Sequence, residues 1–292
     1  MFEIVTDTSA NLDCKLLDQL HIRVVPFSFF VNDKEYIYTD TKGFDGPAYY
    51  NAIRKGIQVR TSQVPPQRYL EFFTPLCEAG REILFVGMSS GISGSFSSAE
   101  NAAKQLRSKY PECKIRLVDT LGASLGEGLL VLKAAQCQKQ GMTLDDTADY
   151  LLKARYEMCQ VFTVEDLKYL RRSGRLSNIQ TIVGTMLQIK PILQGSRSGQ
   201  IICTARVRGR KQSIQAMADQ YEAFVTGSEE QQIGIAHADC PEDARQLIHL
   251  LNSTKCPPKD IMTVCYEPVT GSHVGPGALA LFFWGNPEFR KP

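Results

Sequence analysis

The chain has 292 residues, 43% of them hydrophobic and 22% charged, which suits an ordinary globular protein with one large domain or two smaller ones. Its 33 basic and 31 acidic residues leave a net charge of +2, so no global field calls for nucleic acid or an anionic membrane. No run approaches the ~20 apolar residues of a membrane span. The opening Phe2-Glu3-Ile4-Val5 is strand-like rather than a secretory leader. Nine cysteines, at 14, 77, 113, 137, 159, 203, 240, 256 and 265, form no CxxC, and with His21, His237, His249 and His273 they show no zinc-site spacing. An odd number of cysteines without a leader points to a reducing compartment. The expectation is a cytoplasmic protein without a metal or resident cofactor.

In chain order, Phe2–Val5 is a predicted strand that delivers Thr6-Asp7-Thr8-Ser9 to its carboxyl end. A short helix follows over Leu12–Leu20, then a strand over Ile22–Phe27 and a hairpin over Phe29–Tyr38 that turns at Asn32-Asp33. Tyr49–Lys55 is helical, Arg60–Pro66 is a polar loop held extended by its prolines, and Tyr69–Glu78 resumes helix. The strand Glu82–Val86 opens into Gly87-Met88-Ser89-Ser90-Gly91-Ile92-Ser93-Gly94-Ser95, ahead of a helix over Phe96–Lys109. Strand, small-residue loop and helix make a geometry that holds anions, because free backbone N–H groups and the positive end of the helix dipole point at the ligand. Lys114–Val118 is a further strand. Gly122–Lys139 is a helix with small residues at Gly126, Gly128, Ala134 and Ala135, suited to close packing. Thr143 with Asp146 forms a predicted capping box. This strand–helix alternation describes a three-layer α/β domain over residues 1–160.

The remaining 161–292 read as an α+β domain. Thr163 with Asp166 suggests a second capping box on a helix Val164–Arg172, followed by the basic turn Arg171–Ser177. Ile179–Ile189 is an apolar, helical stretch, and Lys190–Leu193 and Gln200–Ala205 are strands about the turn Gln194–Gly199. Arg206, Arg208, Arg210 and Lys211 precede a long helix, where positive charge opposes the dipole and so suggests a negative partner. Alternation with Ile202 and Thr204 points Arg206 across the sheet. Gln232–Ala236, a helix Pro241–Leu251 and Ile261–Tyr266 come next. Last comes a glycine-rich turn, residues 270–277, that carries His273, and an apolar run Ala278–Trp284.

Three chemistries compete for these features. Gly87-Met88-Ser89-Ser90-Gly91 fits GxSxG after a strand, so Ser89 with His273 and Asp239 is a serine-esterase alternative. The loop runs on through Gly94, however, where a nucleophile elbow needs helix at once. The basic turns 171–175 and 206–211 offer an anion- or nucleic-acid-binding alternative, without the interleaved aromatics that nucleic acid favours. Asp7 at a strand end could hold Mg²⁺, but it lacks a carboxylate partner in the sequence and reads as a cap or Asx turn.

Taken together, Asp7-Thr8-Ser9, Arg60-Thr61-Ser62-Gln63, Gly91–Ser95, Val118-Asp119-Thr120, Tyr169–Ser177, Arg206–Lys211 and Gly271–Gly277 resemble, in content and order, the DegV family of bacterial fatty-acid-binding proteins. The resemblance spans nearly the whole chain. It implies a non-catalytic, two-domain α/β protein with a ligand tunnel between and within its N-terminal three-layer α/β and C-terminal α+β domains. Carried across, Thr61, Ser93, Arg206 and His273 would hold a fatty-acid carboxylate, with Ser62 and Ser95 secondary. Arg171, Arg172 and Arg175 would dock a separate ATP-dependent fatty acid kinase subunit that makes an acyl-phosphate. The implied ligand is a long-chain fatty acid, without a cofactor or nucleic acid; separately, the default expectation is a monomer in the cytoplasm, with room for transient membrane contact. Ser173, Ala205 and the placement of Pro65-Pro66 depart from the family pattern.

Overall fold

The run Ile83-Leu84-Phe85-Val86 is buried at every position, as a strand with parallel neighbours on both sides requires. In the computed structural model, which describes residues 1–177 and 188–292, this strand lies inside the first of two units. The predicted apolar helix over 179–189 falls almost wholly outside the described residues.

The first unit comprises residues 1–44 and 59–155. Strands β1 (Glu3–Asp7), β2 (Arg23–Val25), β6 (Ile83–Gly87) and β7 (Ile115–Asp119) form a parallel sheet in the order β2-β1-β6-β7. A second, antiparallel sheet has the order β4-β3-β5, from β3 (Phe27–Val31), β4 (Lys34–Tyr38) and β5 (Val59–Ser62). The predicted strand over 22–27 is thus two strands in different sheets, parted at Pro26, which has no N–H to offer a ladder. The hairpin turns at Asn32 and Asp33 with φ of 49° and 63°, the left-handed pair that a two-residue turn demands. The stretch Arg60–Ser62, expected as loop, is strand β5, because Phe30, Phe29 and Ser28 pair with Arg60, Thr61 and Ser62.

The helices of this unit are α1 (Cys14–Gln19), α3 (Pro66–Glu78), α4 (Ser95–Lys109), α5 (Leu125–Lys139) and α6 (Leu144–Ala154). The Thr143 cap forms: its Oγ1 accepts from Asp146 N at 3.1 Å. The small face of α5 has the expected use at Gly128, where a Cβ would stand 2.5 Å from the carbonyl oxygen of Ala10. Cys77, at the end of α3, is bridged to Cys113, ahead of β7, with their Cα atoms 5.2 Å apart. This corrects the expectation of thiols throughout; a separation of 36 residues carries no local signature. Closing a loop of that length restricts the unfolded chain, so Cys77→Ser is expected to cost about 2–4 kcal/mol. Urea midpoints with and without reductant check this: the variant should match the reduced protein, not the oxidised one.

The second unit comprises 45–58 and 156–292, and so takes helix α2 (Gly46–Arg54) from within the first half of the sequence. Its mixed sheet has the order β10-β9-β8-β13-β11-β12, from β8 (Met158–Thr163), β9 (Ile189–Gly195), β10 (Ile201–Arg208), β11 (Gln232–His237), β12 (Asp260–Cys265) and β13 (Leu279–Trp284). Helices α7 (Lys168–Ser173), α8 (Arg210–Phe224), α9 (Pro241–Asn252) and α10 (Pro268–Val274) complete it. Ile214, Met217 and Tyr221 of α8 and Leu247 and Leu251 of α9 pack with Ile233, Ile235, Leu281 and Phe283 of the sheet in one core.

Two local expectations fail here. The Thr163–Asp166 box does not form; Asp166 instead accepts from Lys168 N at 2.8 Å, and the helix starts there. Residues 268–274 are helix rather than open turn, because buried Glu267 caps them by accepting from the N–H groups of Val269 and Thr270. Helix α2 belongs with this segment: Tyr50 Oη donates to Tyr266 O at 2.8 Å and Tyr49 Oη to Pro268 O at 2.7 Å.

Candidate functional site

In the first unit, the end of β5 and the serine-rich turn before α4 are stapled together. Ser95, fully buried at the first position of α4, accepts from Val64 N at 3.1 Å and from Ser93 Oγ at 2.9 Å. Ser93 Oγ accepts in turn from Ser95 N at 3.2 Å. The Gln63 side chain lies over Gly94, its terminal oxygen 2.0 Å from where a Cβ would stand, so a side chain there would have to push Gln63 aside. The stretch 61–64 and the turn 93–95 are therefore one structure. Thr61 and Ser93 are half-buried in it and Ser62 is exposed. Hydroxyls converge there at the amino end of a 15-residue helix, a setting that favours an anion.

Beneath that turn lies a group that the sequence alone did not reveal. Asp7 caps the 3₁₀ turn Thr8–Ala10 as expected, its Oδ1 accepting from Ser9 N at 2.9 Å, and its Oδ2 accepts from Met88 N at 3.2 Å. Its supposed lack of a carboxylate partner is wrong: Glu127 of α5, also fully buried, faces it and accepts from Thr6 Oγ1 at 3.0 Å and from Ser9 Oγ. A signal was present, since Glu127 is the single acidic residue of α5 and stands between two glycines.

Ser89 is not placed as a nucleophile. It is fully buried, its Oγ accepts from Gly91 N at 3.1 Å, and helix α4 begins only at Ser95. Asp239, its proposed acid, is ion-paired with Arg54. The Asp119 of Val118-Asp119-Thr120 is a loop clamp that accepts from Ser90 Oγ at 2.6 Å and Leu121 N at 3.0 Å.

In the second unit, His273 lies on α10, and α10 packs on α7 where Gly275, at φ +79°, leaves no space for a Cβ beside the Tyr169 ring. This contact brings Arg172 and Arg175 near His273. Burial first, then the charges of Arg175 and Arg172, pull the imidazole down from 6.5 to about 4. A base so depressed binds fewer protons folded than unfolded between those values. Stability is therefore complete above about pH 6.5 and drains as pH falls toward about 4. His273→Gln should flatten that loss, measured as urea midpoints at neutral and acid pH.

Arg206 is exposed on β10, and its direction differs from the expected one. A bulge between Cys203 and Ala205 shifts the register, so Arg206 shares a face with Cys203 rather than with Ile202. Burial raises the Cys203 thiol, and the adjacent Arg206 opposes the rise. Arg208 and Lys211 are exposed as well. Arg210 is structural, its Nε donating to Asp243 at 3.0 Å and its Nη2 to Gly277 O at 2.7 Å. Arg171 and Arg172 are exposed on α7, and Arg175 is half-buried with Nη1 donating to Ser173 O. Among the described residues, no group of three His, Cys, Asp or Glu could hold a metal, and no helix is long and apolar enough to cross a membrane.

Two α/β units, one built on a parallel sheet and the other on a mixed one, define a two-domain α/β architecture. The model of the DegV family, described as uncharacterised proteins, matches residues 1–286, and the chain belongs to that family. It is 37% identical over 285 residues to a DegV domain-containing protein of Clostridium perfringens, covering 98% of each. A fatty-acid-binding DegV family protein of Thermus thermophilus is similar in structure with a TM-score of 0.88 at 25% identity, covering 98% of this chain and 99% of that one. A fatty-acid-binding DegV family protein of Streptococcus agalactiae gives 0.85 at 27%, with the same coverage. DegV of Bacillus subtilis, a fatty-acid-binding protein, gives 0.81 at 26%, again covering 98% and 99%.

Proposed function

We propose that this chain binds a long-chain fatty acid and is a carrier rather than an enzyme. The observation that carries this reading is the Ser93–Ser95–Val64 staple, which presents hydroxyls at a helix amino end in a fold whose relatives bind fatty acids. Thr61 and Ser93 of the first unit, with Arg206 and His273 of the second, are the proposed carboxylate ligands, and Ser62 and Ser95 support them. A C16 chain that buries about 14 methylenes gains roughly 11 kcal/mol in gross apolar transfer, of which immobilisation takes back several. The charged head would cancel much of the remainder unless hydrogen-bonded or paired. Neutral His273 can then serve as a hydrogen-bonding group, while the arginine supplies charge.

The further reading is that a separate kinase subunit, docked through Arg171, Arg172 and Arg175, supplies ATP and metal. In that step a carboxylate oxygen attacks the γ-phosphorus, the bond to the β-phosphate oxygen breaks, and ADP leaves. The carrier acts as a cytoplasmic monomer that meets membranes transiently. The first test is solvent extraction of purified protein, with mass spectrometry of the released lipid and native mass for stoichiometry. Near-stoichiometric free fatty acid is expected. A clean unliganded mass that does not shift with added fatty acid would overturn the reading.

A further inference from the structure

Asp7 and Glu127 are 1% and 0% exposed and neither is ion-paired to a Lys, Arg or His among the described residues. Four donors serve them: Ser9 N and Met88 N on Asp7, and Thr6 Oγ1 and Ser9 Oγ on Glu127. Two carboxyls buried against each other with no cation to offset them resist both being charged, so such a pair retains a proton and titrates as a unit. Burial raises both, and the charge of Asp7 raises Glu127 further, so one proton is held between the two carboxyls.

A third group links this pair to the hydroxyl turn. Tyr69 of α3 is fully buried, and its hydroxyl faces both carboxyls and Ser95 without a hydrogen bond of good geometry to any of them. Burial, then Asp7 and Glu127, push it well above the usual phenol range, so it stays protonated. Ser95 is the residue that holds Val64 and Ser93 in place. A buried phenol without a settled partner, between a proton-holding pair and the serine that organises the turn, has a coupling function as its best account.

We propose that Asp7, Glu127 and Tyr69 are positioning residues of the head-group site, and that the proton shared by the two carboxyls is what allows the hydroxyl turn to accept a carboxylate anion. The inference rests on the fatty-acid reading above. With its proton, the pair carries one charge spread over four donors. Without it, a second buried negative charge stands behind Ser95 and repels the bound carboxylate, and Tyr69 turns its proton to the carboxyls. The groups that face the pair are Tyr69 from α3 and the non-titrating Thr6, Ser9 and Met88 N–H from β1, the 3₁₀ turn and the exit of β6. His273 is pulled the other way, down to about 4, by burial and by Arg175 and Arg172, so it stays neutral while the pair loses its proton. Affinity is therefore full while the pair keeps its proton and falls as pH rises through its loss.

The test is the Kd of delipidated protein for palmitate, below its micelle concentration, from about pH 6.5 to about pH 9.5. Wild type should weaken by on the order of tenfold, the scale of one added buried charge acting through an effective dielectric of about 20. Glu127→Gln keeps a permanent donor to Asp7 and should change by less than about twofold over the same range. Tyr69→Phe should have a shallower slope than wild type. A Glu127→Gln profile parallel to wild type overturns the inference and leaves fatty-acid binding intact. Failure of wild type to bind palmitate at any pH overturns the parent reading instead. The infrared carbonyl band of a protonated carboxylic acid at neutral pH then decides whether the pair holds its proton; its absence from wild type overturns the inference. If Glu127→Gln does not fold, the Tyr69→Phe profile and that band decide between the two outcomes.

Discussion

A Thr61→Ala, Arg206→Ala double variant is expected to bind a long-chain fatty acid about a hundredfold or more weakly than wild type, since hydrogen bonds to a charged group are worth about 1.5–3 kcal/mol each. The two single variants should differ. Thr61 is half-buried on β5 and held in register by Phe29, so its hydroxyl is fixed and partly dry. Arg206 is exposed, where water screens its charge and side-chain entropy offsets part of the gain. Thr61→Ala should therefore cost more than Arg206→Ala, and Arg206→Ala should lose its effect in high salt. Titration of delipidated protein with palmitate at two salt concentrations measures both. Unchanged binding in both single variants would remove the proposed head-group site without touching the family assignment. Thermal midpoints within a degree or two of wild type would show that the loss is one of binding.

Arg290→Ala is expected to be the most destabilising single change outside the site, at about 3–5 kcal/mol, because it strips buried acceptors of a charged donor and leaves a void. Arg290 is 1% exposed although it stands two residues from the end of the chain. Its Nε donates to Met158 O at 3.0 Å and its Nη1 to Ser196 O at 2.9 Å, which ties the last residues to β8 and to the turn after β9. The neighbouring Phe289 packs against Phe224 and Phe283, so the tail closes the core of the second unit. A lysine here should not restore stability, since a single ammonium lacks the planar fork that reaches two carbonyls at once. Urea denaturation of Arg290→Ala and Arg290→Lys decides this. A change below about 0.5 kcal/mol, the range of ordinary surface substitutions, would mean the tail is incidental to the fold.

The contrast between expectation and structure follows one physical line. Features written in a few consecutive residues were legible. Asn32-Asp33 takes the left-handed turn, Ile83–Val86 is an enclosed parallel strand, Pro241 opens α9, and Gly128 marks a close approach. Each depends on local stereochemistry or on periodicity, which a short window contains. The serine turn before α4 was legible for the same reason.

What was missed depends on partners far along the chain. Strand β5 looks like a proline-bounded loop until β3, some 30 residues earlier, supplies its ladder. Helix α10 hides behind glycines because the carboxylate that caps it, Glu267, is an uncommon cap residue. One extra residue at Thr204 reverses the face on which Arg206 lies, and no composition rule announces a bulge. The bond between Cys77 and Cys113 spans 36 residues, and Thr6 meets Glu127 across 121. By itself, then, the sequence determined the α/β class, most helices and strands, the serine-rich turn before α4 and, through motif order, the family. Only the tertiary structure decided that residues 45–58 join the second unit, which way Arg206 faces, and that Asp7 has a carboxyl partner. The reason is that secondary structure is set by short-range backbone and side-chain preferences, whereas a site is set by which distant segments share a core.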